Sequence, residues 1–170
     1  MNNRTKRVAF LGLAVSLALI LSYVESLLPP LWAAVPGIKM GLANVVLVFL
    51  LYRFSWREAA VVSLVRVLLA SMLFGTPMTM IYSLVGASVS LLLMALLRRT
   101  DRFSTVGVSV VGGVAHNLGQ ILTAMIILQT EQIGYYMLIL TVTGTVAGVC
   151  VGLAGAMLLR YSDRLDKFLK

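Results

Sequence analysis

Few residues in this chain have the chemistry to bind or react, and most of them sit where a charge is expensive. Glu25, Lys39 and Arg66 lie within or at the edge of long apolar runs, with Asn44, His116, Asn117 and Gln120 as polar company. Arg66 follows Arg57 by nine residues, which at about 1.5 Å per residue carries it ~14 Å along a helix. A charge at that depth in a bilayer costs at least about 2.5–3.5 kcal/mol, so it must face a bundle interior and find a partner. His116 and Gln120 share a helix face by their i,i+4 spacing, with Asn117 beside them. Two cations against one carboxylate leave a positive surplus, and the chemistry this points to is recognition of an anionic group. A packing role stands beside it. Glu25 with Arg66 or Lys39 makes an internal salt bridge on that reading, and Asn44, His116, Asn117 and Gln120 become interhelical hydrogen-bonding groups.

The elements that must position these residues follow from composition. Of the 170 residues, 60% are hydrophobic and only 12% are charged, against about a quarter charged in a soluble domain. The mean hydropathy is +0.99. Several apolar runs approach the ~20 residues that cross a bilayer core. The expected fold is all-α, a single integral membrane domain over 1–170 built as a six-helix bundle. Apolar windows and polar punctuation place the helices at about 8–28, 39–53, 57–74, 78–97, 104–129 and 134–160. The first run, preceded by basic residues, is expected to be a retained span because no A-x-A cleavage pattern follows it.

Charge gives the orientation. Arg4, Lys6 and Arg7 precede the first helix, and Arg53 and Arg57 flank the turn after the second. Arg98, Arg99 and Arg102 follow the fourth, and Arg160, Arg164, Lys167 and Lys170 follow the sixth. The opposite loops at 29–38, 75–77 and 130–133 hold neither Lys nor Arg. Both termini are therefore expected in the cytoplasm. The net charge of +8 reflects topology, since a nucleic-acid surface needs basic residues gathered on one folded aqueous face. In this frame the polar residues of helices 1, 2, 3 and 5 run from the midplane to the outer surface, which predicts a cavity open to the outside.

The loop between the first two helices holds Pro29, Pro30, Trp32 and Pro36 and ends at Lys39. Its prolines enforce extended or turn geometry and Trp32 suits an interface. It serves as a lid over the cavity or as a plain interfacial connector. Small residues at every fourth position let helices approach closely. They recur at Ala14 and Ala18, at Ala115 and Gly119, and at Gly144, Gly148, Gly152 and Ala156. The later two series read as internal packing, and the Ala14/Ala18 ridge as either packing or an outward face for a partner.

Motifs for catalysis do not emerge. The sequence has no G-x-x-x-x-G-K-[ST], no H-E-x-x-H and no G-x-S-x-G. Its six acidic residues include no Asp-rich pair of motifs for a magnesium–diphosphate cluster. The single Cys150 makes neither an intrachain disulfide nor a metal cluster. The expectation is a non-enzyme with no cofactor and no metal.

The runs VPGIKMGLANVVLVFLLY (35–52), RVLLASMLFG (66–75), YSLVGASVSLLLMALLRR (82–99) and GGVAHNLGQILTA (112–124) resemble the bacterial Gx transporter family. That family also carries the label heptaprenyl diphosphate synthase component I, and it looks like the S components of energy-coupling-factor transporters. The resemblance implies a six-helix protein of the bacterial cell membrane that captures a vitamin- or cofactor-like molecule from outside. A transmembrane T protein and ATPase subunits would be its partners. It places substrate under the 29–38 loop, near Lys39, Asn44, Arg66, His116, Asn117 and Gln120, and directs an Ala14/Ala18 ridge at the T protein. Flavin, a quinone precursor and an isoprenoid-related molecule all fit this class, and Tyr82 is an aromatic candidate for stacking. The alternative is a non-catalytic membrane subunit or scaffold associated with heptaprenyl diphosphate or menaquinone synthesis.

Overall fold

The computed structural model describes residues 3–27, 41–129 and 131–168, with the side chains of 3, 133 and 165–168 left aside. Lys39 and the proline loop, with the lid expected of it, lie outside the described residues. Six α-helices follow one another: α1 (Asn3–Leu27), α2 (Asn44–Arg53), α3 (Trp56–Phe74), α4 (Pro77–Arg99), α5 (Thr105–Leu128) and α6 (Met137–Phe168). A 3₁₀ segment, Glu131–Tyr136, leads into α6. Four stretches are long and apolar enough to cross a membrane: Arg4–Leu27, Pro77–Arg99, Thr105–Leu128 and Gly134–Arg164. α2 is only 10 residues long, and α3, at 19, carries Arg57, Glu58 and Arg66.

Local chemistry sets the boundaries. The Glu58 carboxylate accepts from the Ser55 backbone N–H at 2.9 Å and from its hydroxyl at 2.8 Å, which closes the start of α3. Thr76 precedes Pro77, whose missing N–H costs nothing in a first turn, and the Thr76 hydroxyl accepts from Thr79 N–H. The Ser104 hydroxyl accepts from Gly107 N–H at 3.1 Å to open α5. At the far end of α2, the Arg98 guanidinium donates to the Tyr52 carbonyl at 2.9 Å and lies 5.1 Å from its ring centre. It satisfies a helix-end carbonyl there.

The second helix departs from the expected 39–53 span. Gly41 has φ of +75°, so the backbone turns before Asn44, and Asn44 N–H bonds back to Gly41 O at 2.8 Å. A positive φ interrupts a right-handed helix and favours glycine. α2 is nonetheless the centre of the molecule. Val46, Leu47, Val48, Leu50 and Leu51 are all buried, as expected of a helix apolar on every side. It packs on α3 and α6, while α1 lies on α3, and α4, α5 and α6 follow as successive neighbours.

Glycines bring α4, α5 and α6 almost to backbone contact. A Cβ on Gly148 would lie 2.6 Å from Val110 Cα, and one on Gly152 would lie 2.7 Å from Val106 Cα. Gly113 and Gly144 meet backbone to backbone, and Gly119 sits against Gly86 of α4. The small residues of helices 5 and 6 thus act in internal packing.

The Ala14/Ala18 ridge needs a correction. Ala14 is 7% exposed and Ala18 fully buried, in the same apolar core as Val46, Leu47 and Val62. The small side chains seat α1 on its own bundle, so the ridge is not an outward face. The face α1 turns outward carries Val8, Leu13, Leu17 and Ile20.

The charged ends gather at one end of the bundle. Arg7 of α1 pairs with Glu58 of α3, Arg53 of α2 lies 3.7 Å from Asp163 of α6, and Arg98 of α4 reaches Tyr52 of α2.

Gly148→Ala is expected to destabilise the protein by ~1–3 kcal/mol, because the new methyl meets backbone that cannot step aside. Gly12→Ala is the matched control: nothing lies within 4 Å of its Cβ position, and no loss is expected. Thermal unfolding of both variants in detergent checks the pair.

Candidate functional site

The turn ahead of α2 and the middle of α3 build a small polar cavity between them. Glu25 of α1, Gly41 and Asn44, Arg66 and Ser71 of α3, Ser83 of α4 and His116 of α5 line it, with Val67 and Ala70 as its apolar wall. The cavity measures about 20 Å³. A space of that size takes a water molecule or one small chemical group.

Arg66 is 8% exposed. Its Nη2 donates to Asn44 Oδ1 at a long 3.3 Å, and its buried Nε–H has no acceptor among the described residues. Glu25, 7% exposed, is close enough to act on the guanidinium electrostatically. One Glu25 oxygen also accepts from Gly41 N–H at 2.5 Å, which ties the outer part of α1 to the start of α2. Gly41 is doubly constrained: besides its positive φ, a Cβ there would lie 2.9 Å from Asn44 Nδ2. A buried donor without an acceptor costs about 1–3 kcal/mol, and more when the group is charged.

Four of the eight residues expected at a substrate site converge here: Glu25, Asn44, Arg66 and His116. Lys39 lies outside the described residues. Asn117 does not line this cavity. The ~100° step per residue turns it from its neighbour His116 toward α6, where its Nδ2 donates to the Leu140 carbonyl at 2.9 Å. It is buried there, with its amide 2.9 Å from the Cβ position of Gly144. Gln120 leans on α4 instead, its Cγ 2.8 Å from the Cβ position of Gly86, and is not among the cavity residues. Tyr82 is half-buried and also absent from the lining; its neighbour Ser83 takes that place. Gly41, Ser71 and Ser83, with the apolar Val67 and Ala70, are the described lining residues that sequence reasoning missed. Ser71 follows Arg66 by five residues, about 140° around the helix, so helical spacing from Arg66 pointed to Ala70 at i+4 and gave no signal for Ser71.

Asn44 also borders a second, interior void of about 10 Å³, lined by Ser90, Met94 and Ser109 together with Gly112 and Gly148. A larger groove of about 570 Å³ runs between α4 and α5 past Val85, Val89, Val114, Leu118 and Leu122. Among its described lining residues Thr123 is the one polar side chain, and these offer almost nothing to orient a polar ligand. Among the described residues no group of three His, Cys, Asp or Glu side chains is placed to hold a metal ion.

Helices of this length and apolarity, wrapped around a buried guanidinium, define a multi-pass membrane protein. A family model described as heptaprenyl diphosphate synthase component I matches residues 14–158, and the chain belongs to that family. No curated protein and no solved structure matches the chain.

The position of Asn117 generates a test. Asn117→Ala is expected to cost ~0.5–2 kcal/mol of stability through the lost contact to α6, without changing ligand affinity. Thermal unfolding with and without ligand separates the two effects: loss of affinity at unchanged stability would return Asn117 to the binding site.

Proposed function

We infer that this chain is the substrate-binding membrane subunit of an uptake system, of the kind the S components of energy-coupling-factor transporters represent. In this reading all six helices belong to one membrane domain, the basic ends face the cytoplasm with both termini, and the polar cavity opens toward the other side of a bacterial cell membrane. The cavity receives a small vitamin- or cofactor-like molecule, and a transmembrane T protein with ATPase subunits supplies the energy. The chain itself is not an enzyme.

One observation carries the reading: a guanidinium nine-tenths buried, with a donor that meets no acceptor among the described residues, in the wall of a cavity built from five separate segments. A purely structural arginine at this depth would be expected to have its donors met by the protein, since an unmet charged group is costly in a low-dielectric interior. Here the remaining acceptor is supplied by the substrate. The placement supports the same reading, because the cavity lies toward the end of the bundle opposite the Arg7–Glu58 and Arg53–Asp163 pairs. That end was expected from the charge pattern to face outward.

Native mass spectrometry of the full chain, released from mild detergent with no ligand added, tests this. A reproducible small-molecule adduct is expected in the wild type, with loss of that adduct in Arg66→Gln. A folded, adduct-free chain that co-purifies with a soluble prenyl synthase would replace the uptake reading with the scaffold alternative.

A further inference from the structure

The interior void behind Asn44 is small, and three of its walls are polar. It measures about 10 Å³ and lies where α2, α4, α5 and α6 meet, with Asn44, Ser90, Met94 and Ser109 in its lining. We propose that it is the binding site of a single water molecule, which joins Asn44 of α2 to Ser90 of α4 and Ser109 of α5. The water thereby holds the amide that receives Arg66.

Three observations lead there. The first is what the two serines do with their hydroxyls. Ser16 and Ser88 turn theirs back onto the carbonyl four residues before, at 3.0 and 2.7 Å. Ser90 and Ser109 also lie within helices, and each is only 3% exposed. Yet neither hydroxyl makes a hydrogen bond among the described residues, and both residues line the void. Burying a hydroxyl without a partner is costly, so a partner is expected in the space they border.

The second is size. A water needs roughly 10–15 Å³ of accessible space and two to four polar partners, whereas cavities that stay dry are apolar. The void offers that volume and three such groups. Missing side chains keep it open. A Cβ on Gly112 would lie 3.2 Å from Ser90 Oγ and 2.5 Å from Met94 Sδ, and one on Gly148 would lie 2.9 Å from the Ser109 carbonyl oxygen.

The third is Asn44. Its Oδ1 accepts from Arg66, so its Nδ2 is the end left to donate, and no acceptor meets it among the described residues. Asn44 lines this void as well as the cavity beside Arg66. A water carries two donors and two acceptors, enough to serve the amide and both hydroxyls and to fix which end of the amide faces the arginine. Ser90 and Ser109 are then positioning residues that act on Arg66 through the water and Asn44.

X-ray footprinting of the full chain in detergent tests this, because radiolysis turns a bound water into hydroxyl radical where it sits. Met94 borders the void at 2% exposure and is the side chain placed to record it. Its oxidation to the sulfoxide is expected under X-rays but not with radicals made in bulk solution by peroxide photolysis. In the Ser90→Ala/Ser109→Ala double variant the X-ray rate at Met94 should fall several-fold. A double-mutant cycle then tests the bridge. No hydrogen bond joins the Asn44 and Ser109 side chains directly, yet the fall in unfolding temperature for Asn44→Ala with Ser109→Ala should be smaller than the sum of the single losses. Met94 left unoxidised by X-rays in the wild type would show a dry void and overturn the site. Oxidation unchanged without the two hydroxyls, or strictly additive losses, would overturn the bridge. Stabilisation by sodium over potassium that needs both serines would put a cation there in place of water. None of these outcomes depends on the ligand of the neighbouring cavity, so the uptake reading keeps its own test.

Discussion

A guanidinium held among apolar helices is the constraint around which this molecule is arranged. Removing an unpaired ion from water costs several kcal/mol even after a protein relaxes around it. The described polar groups near Arg66 can be understood as a response to that cost: Glu25 from α1, Asn44 at the start of α2, Ser71 about a turn and a half along α3, Ser83 on α4, and His116 across the bundle on α5. These groups come from distant parts of the chain, so the cost is met only when α1, α2, α3 and α5 are all in place. The arginine therefore helps specify the arrangement as well as depending on it. Among the described residues its Nε–H meets no acceptor, so the protein groups named here leave part of that cost unmet.

Bringing those groups within reach of one another depends on how thin the walls are. In a bilayer, lipid tails are as apolar as leucine, so helices associate through close packing and interhelical hydrogen bonds instead of a hydrophobic gradient. The α4–α5–α6 layer achieves this with glycine at nearly every crossing, and Gly86 sits directly on the backbone of His116. A larger residue at 86 would push α5 away and take His116 with it. Asn117, one step around the same helix, uses its side chain to hold α6. Adjacent residues on α5 thus serve the cavity and the scaffold separately, and the helical turn keeps those two duties apart.

Much of this was legible in the sequence. α3, α4 and α5 lie within two residues of their expected bounds because apolar runs end in charges, prolines and capping hydroxyls, as at Ser55–Glu58 and Thr76–Pro77, while α1 begins five residues before the expected 8 and α6 runs eight residues past the expected 160. The start of α2 was not legible, because apolarity does not reveal the positive φ at Gly41. Arg66 and Glu25 stood out because their cost in an apolar run is visible from composition alone. The division between His116 and Asn117 was hidden, since both are polar and the sequence does not say which neighbouring helix lies on which side. The Ala14/Ala18 ridge misled for a related reason. Small residues at helical spacing mark a close approach without saying whether it is made by the chain itself or by a partner, and here α1 lies on its own core.

The two ends of the bundle are held by different physics, and that difference bears on how a site could work. At the basic end, side-chain ties join α1 to α3, α2 to α6 and α4 to α2, using arginines that lie where water still screens them. Each such pair is worth little by itself, but together they fix the relative positions of most helix ends. At the other end the Glu25 carboxylate accepts from the Gly41 backbone N–H and ties α1 to the α2 turn. That contact borders the cavity. A group that enters and engages Arg66 changes the electrostatic surroundings of Glu25, and with them the contact that joins α1 to α2. Occupancy of the cavity is thereby coupled to the junction of the first two helices, while the network at the basic end keeps the rest of the bundle in register.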